Sequence, residues 1–136
     1  MLCEIINIDL YRTDLMLFIG NSVDLRLSLI NNNINTRPAD KVIRLLDARN
    51  FWSGSNKGFC YQFKGGQILI VLPELPDAIE KLGTLNHEIL HAVFFILKKV
   101  GVVYSIESEE SYTYLYGYLT EKIYRLLPIS FSCPSL

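Results

Sequence analysis

Leu85-Asn86-His87-Glu88-Ile89-Leu90-His91-Ala92-Val93-Phe94-Phe95-Ile96-Leu97 is the stretch on which the reading of this chain turns. It contains both histidines of the protein, four residues apart, with a glutamate directly after the first. On an α-helix, positions i and i+4 lie one turn apart on one face. Two imidazoles so placed can grip one zinc ion, and the carboxylate between them can act as base on a water that the metal activates. This is the HExxH arrangement. With two histidines to distribute, chance rarely puts both into such a word. Residues 89–97 are apolar almost all round, which marks a buried helix. A buried helix opening with two imidazoles and a carboxylate would leave polar groups without water, and an unpaired buried carboxylate is strongly destabilising. A divalent cation accounts for all three groups at once. Two core histidines satisfied by backbone carbonyls would predict no particular spacing.

The elements on either side follow from punctuation and periodicity. The motif helix begins near Asp77 or, more conservatively, after Gly83, and stops at Gly101, once Lys98 and Lys99 have put positive charge at its C-terminal end. Before it, Pro73 and Pro76 close a hairpin made of residues 59–63, a Lys64-Gly65-Gly66 turn and residues 67–72. The second arm, Ile68-Leu69-Ile70-Val71-Leu72, is a continuous apolar run of the kind buried on both faces. Residues 52–58 read as a loop in which Trp52 is an anchoring aromatic rather than a cleft wall. A helix over residues 38–49 carries Pro38 in its first turn and turns Val42, Leu45 and Leu46 inward. Residues 4–10 and 15–20 make two short strands joined by a turn. Residues 22–30 fit a strand through Val23, Leu25, Leu27 and Leu29, or a helix through Val23, Leu27 and Ile30 behind a cap at Asn21 or Ser22. A last helix spans residues 107–127, ends before Pro128 and leaves a short, loose tail.

These elements make one α+β domain over residues 1–136. It consists of a β-β-α segment (1–36), a helix plus hairpin (37–75) and a metal-binding helix pair (76–128). The expected architecture is a small antiparallel sheet packed against the motif helix and the C-terminal helix. The 136 residues, half of them hydrophobic and 20% charged, suffice for one sizeable core and no second one. A net charge of −1 gives no reason to expect nucleic acid or anionic lipid as a partner. The longest uncharged, largely apolar run is residues 89–97, about half the roughly 20 residues a bilayer requires. Glu4, Asp9 and Asp14 interrupt the first twenty residues, which therefore read as neither signal peptide nor membrane span. Cys3, Cys60 and Cys133 are widely spaced, with no C-x-x-C pair, so neither zinc ligation nor a disulfide is expected of them. Idle thiols fit a reducing cytoplasm.

A catalytic zinc takes three protein ligands and keeps one position open. With no further histidine, the third ligand falls to a carboxylate: Glu107, Glu109 or Glu110 where the last helix begins, or Glu121 within it. At about 100° per residue, Tyr114, Gly117 and Glu121 share the face of Glu110, and Gly117 would allow close approach of the two helices. Glu109 instead shares a face with Thr113, Tyr116 and Thr120. The strongest apolar stripe, Leu115, Leu119, Ile123 and Leu126, lies nearly opposite Glu110, so ligation by Glu110 would bury this helix on two sides. Favourable charge at a helix N-terminus is the simpler reading of Glu109, and an alternative one for Glu110.

Residues 85–93, followed by Glu109-Glu110-Ser111-Tyr112-Thr113-Tyr114-Leu115-Tyr116-Gly117-Tyr118-Leu119, resemble the gluzincin metallopeptidases, and in particular small metallopeptidases encoded by bacteriophages and prophages. Gluzincins take their third ligand from a glutamate on the next long helix, and the 18 residues between His91 and Glu110 match the spacing common in that family. The resemblance implies a zincin-like fold, a helix at residues 22–30, and Zn²⁺ held by His87, His91 and Glu110. It also implies Glu88 as general base, a peptide or protein substrate, and the cytoplasm of a host cell as location. The strand at residues 68–72 would lie beside the cleft and pair through a free edge with extended peptide. The chain departs from the family at Tyr114, where many gluzincins place an aspartate that orients a histidine. Tyr114 is also the tyrosine best placed by this reading to donate to an oxyanion. Two other readings keep the same residues. One is a phage-associated binding or virion protein on a zincin fold, with zinc structural or the enzyme inactive; the other is a hydrolase of a non-peptide amide.

Overall fold

The structure, a computed structural model, describes residues 1–54 and 56–130. Ser55 in the loop, Cys133 and the expected loose tail from residue 131 onward lie outside the described residues. Strand β1 (Leu2–Ile8) turns through a short 3-10 segment (Asp9–Tyr11) into β2 (Thr13–Ile19), and the two pair antiparallel from Leu2↔Ile19 to Ile8↔Thr13. Helix α1 (Ser22–Asn31) opens where the Asn21 side chain accepts the Asp24 N–H, so the ambiguous segment is a helix. Helix α2 (Thr36–Ala48) follows, with Ala39, Val42 and Leu46 buried. Strands β3 (Phe59–Gln62) and β4 (Ile68–Leu72) form the expected hairpin. In its turn the Phe63 N–H donates to the Gln67 carbonyl at 2.9 Å, and the Gly66 N–H to the Phe63 carbonyl at 2.8 Å.

Helix α3 (Ile79–Lys99) contains the whole motif. Gly101 takes a φ of +83°, which an L side chain rarely adopts. That turn lets the Gly101 N–H reach the Lys98 carbonyl (3.0 Å) and the Val102 N–H the Leu97 carbonyl (2.9 Å), closing the helix where the sequence predicts. Helix α4 (Glu109–Leu126) runs back along α3. Near its start the Tyr112 ring lies 4.9 Å from that of Phe94, and near its end the Tyr124 hydroxyl donates to Asn86 Oδ1 at 2.7 Å.

Among the described residues four strands are ordered β1-β2-β4-β3, and β2 pairs parallel with β4, from Leu15↔Ile68 to Ile19↔Leu72. The sheet is therefore mixed, not antiparallel as expected. The residues between β2 and the hairpin, with α1 and α2 among them, form the long crossover that parallel neighbours need. The expected free edge of residues 68–72 is likewise corrected, since β4 is interior and the sheet's edges are β1 and β3.

Helices cover both faces of this sheet. Leu15, Leu17, Ile19, Ile68, Ile70 and Leu72 pack with α3 and α4, while Met16, Phe18, Leu69 and Val71 pack with α1 and α2. Burial on both sides explains why β4 is apolar at every position. Each such Leu or Ile contributes about 1.5–3 kcal/mol of transfer free energy. Among the described residues no helix is long and apolar enough to cross a membrane.

Candidate metal centre

The core fixes the orientation of α3. Leu85, Ile89, Ala92, Val93, Ile96 and Leu97 are buried, so the helix cannot rotate without exposing them. His87 and His91 then emerge together on the exposed side. Their Nε2 atoms are 3.1 Å apart and their ring centroids 4.7 Å. Two nitrogen ligands about 2.0–2.1 Å from a tetrahedral zinc would be roughly 3.3 Å apart. The pair thus fits as two ligands of one ion, and the aromatic ring of Phe95, stacked at 6.5 Å on His91, backs that imidazole.

Glu88 lies about 100° further round the helix and turns towards β3. It is 7% exposed, with Oε1 4.0 Å from His87 Nε2. Burial pushes its carboxyl pKa above the ordinary value, and the charges of His87, His91 and Arg49 pull the other way without cancelling it. Space for Glu88 depends on Gly58. A Cβ at that position would meet Glu88 Cγ at 2.7 Å and Thr84 Cγ2 at 2.9 Å. The 52–58 loop is also tied to α3 by Thr84 Oγ1, which donates to Asn56 Oδ1 at 2.7 Å. Arg49, at the end of α2, lies 5.4 Å from the Phe59 ring centroid in a cation–π contact.

Glu110 is not brought to the histidines. Among the described residues no three His, Cys, Asp or Glu side chains form a group able to hold a metal. Glu110 stands in the first turn of α4, exposed. Because α4 runs back along α3, its level is that of Phe94 and beyond. Tyr112, Leu115, Leu119 and Ile123 bury one side of α4, and Glu110, Gly117 and Glu121 face away from it. The helix is not buried on two sides. A Cβ on Gly117 would meet nothing within 4 Å, so the close helix approach expected there is absent.

Other expectations resolve locally. Tyr114 is 78% exposed and lines a hollow with Asp9, Leu10, Tyr11 and Tyr118, away from the histidines. Trp52 packs edge-on against Phe51 at 4.9 Å in the cluster beneath α1 and α2, so it anchors its loop. Cys60 lies in the layer of α3, its thiol pKa pushed far up by burial and then by the Glu88 carboxylate.

Three contributors carry no signature in the sequence. Gly58 sits in a loop already rich in turn residues, so its role as a cradle shows up once β3 is placed against α3. Arg49 ends a helix 39 positions before Glu88, and the Asn86–Tyr124 hydrogen bond spans 38. Both require the tertiary fold. Compared with family models, curated proteins and solved structures, the chain matches none.

Proposed function

We propose that this protein is a zinc-dependent hydrolase of peptide bonds, zincin-like in its site. The observation that carries the reading is the pair of imidazole nitrogens 3.1 Å apart beside a buried carboxylate. His87 and His91 are two ligands, and the gluzincin-like spacing from His91 implies Glu110 as the third; bringing it in requires α4 to shift from the position described above. Zinc, when bound, lowers the pKa of water towards neutrality and polarises a carbonyl. Glu88 is the general base: it accepts the proton of the attacking water and passes it to the leaving amine. Its position on the β3 side of the histidines sets where that proton moves, and packing against Gly58 holds it there. Edge strand β3 can pair with an extended substrate beside it, the role expected of residues 68–72 in the sequence reading.

The test is Glu88→Gln. That variant should keep its zinc while turnover on a peptide library falls by at least about 10²-fold. Unchanged turnover would remove Glu88 from the mechanism. A second reading draws on the separation of Glu110 from the histidines: a binding or virion-associated protein in which the site does no chemistry. Tight zinc without hydrolysis of any peptide in wild type would favour it.

A further inference from the structure

Beyond His91, the exposed side of α3 opens into a cleft of about 740 Å³ between that helix and the β3 hairpin. Phe94 and Phe95 line it from α3, Gln62 from β3, and Lys64, Lys98 and Lys99 surround its far end. Among the described residues no acidic side chain lines it. Lys99 donates to the Gly65 carbonyl at 3.0 Å, while Lys64 and Lys98 form no ion pair among the described residues. The side-chain nitrogen of Gln62 is shielded from solvent and has no acceptor among the described residues.

The cleft has β3, an edge strand among the described residues, on one wall. In the hairpin Phe63 bonds to Gln67, so alternate residues Tyr61 and Phe59 turn their backbone groups to β4, and those of Cys60 and Gln62 point outward. From His91 to Lys98 the helix rises seven residues, about 10.5 Å at 1.5 Å each. An extended chain covers that distance in about three residues.

We propose that this cleft takes an extended peptide with an anionic group about three residues from the bond over the histidines, held by Lys64 and Lys98. The anion is an acidic side chain or a terminal carboxylate. The position of the scissile bond rests on the hydrolase reading; the charge preference does not.

Fluorescein-labelled ten-residue peptides of Ala, Thr and Gln test this, each with one Glu or one Lys at a scanned position and a free or amidated C-terminus. Anisotropy titration into the Glu88→Gln variant reads binding without cleavage. Glu peptides should bind about tenfold more tightly than Lys peptides at low salt, and the gap should close at high salt. Lys64→Glu with Lys98→Glu should reverse the preference, whereas Lys41→Glu with Lys122→Glu, an equal change in net charge elsewhere, should leave it. Lys64→Gln with Lys98→Gln, a milder change at exposed positions, should abolish it. A Glu preference that persists on amidation identifies an acidic side chain, whereas a terminal carboxylate shows as about tenfold weaker binding of both sets on amidation. Equal affinity for both peptide sets with no effect of amidation, no binding at all, or equal loss in the control pair overturns the proposal. Charge-selective binding without cleavage by wild type would overturn the hydrolase reading and leave this one standing.

Discussion

Gly58→Ala probes the contact on which the placement of Glu88 depends. The new methyl carbon would lie 2.7 Å from Glu88 Cγ and 2.9 Å from Thr84 Cγ2, whereas carbon atoms settle at about 3.5–4.0 Å. Each contact must therefore open by about 1 Å. Both partners stand on α3, whose far side is held in the core by Val93 and Leu97, so the helix cannot retreat. Thr84 is further held by its hydrogen bond to Asn56. The movement falls on the Glu88 side chain or on the start of β3. Overpacking of this kind costs about 1–3 kcal/mol. For a domain of this size that is a drop in Tm of roughly 3–10 °C. Urea unfolding of the four proteins of a cycle with Glu88→Ala measures the effect. Removing Cγ relieves one of the two clashes, so the penalty of Gly58→Ala should fall by about half in that background. Zinc content should not change, because neither histidine is among the atoms the new methyl meets, while turnover should drop as Glu88 is displaced. A variant as stable as its parent, with unaltered turnover, would mean that β3 does not approach α3 at Glu88 as described.

Three further outcomes are expected. Purified protein should carry about one zinc, and His87→Ala or His91→Ala should lose it along with thermal stability; full metal content in either variant would remove the pair as ligands. In chelator competition Glu110→Ala should weaken zinc by orders of magnitude, while Glu109→Ala should cost only about 0.3–1 kcal/mol of stability; a large loss of zinc in Glu109→Ala or Glu121→Ala instead would reassign the third ligand. The raised pKa of Cys60 means that its thiol stays protonated in the folded protein where it ionises in the unfolded chain, so stability should fall as pH rises above the ordinary thiol value near 8.5, by at most about 1.4 kcal/mol per unit. Cys60→Ala should flatten that decline in pH-dependent urea unfolding, and an unchanged slope would show that Cys60 is not its source.

The parts of this molecule that a reader can take from the sequence are those set by local geometry. Helix pitch alone puts His87 and His91 side by side, and Gly101, just after the apolar run and two lysines, takes the positive φ that closes α3. The apolar run at 68–72, five residues between Gly66 and Pro73, is equally local evidence of a strand covered on both faces. Residues 22–30 defeat that kind of reading: the two candidate patterns shared Val23 and Leu27, yet both are exposed, and the helix buries Leu25, Ser28 and Leu29. The parallel pairing of β2 with β4 depends on where a crossover of two helices returns the chain, which no local period encodes. The candidate site divides along the same line. Its contiguous half, His87, Glu88 and His91, is legible because one helix carries all three. For the other half, the sequence locates the apolar stripe of α4 correctly, since Leu115, Leu119 and Ile123 are buried. It does not say at what level or pitch that stripe docks on α3, and the identity of a third ligand depends on that docking. A shift of one helical turn, about 5.4 Å along α4, changes which carboxylate lies nearest the histidines. The affinity comparison among Glu109, Glu110 and Glu121 is therefore also a measurement of how α4 sits on the motif helix when the site is complete.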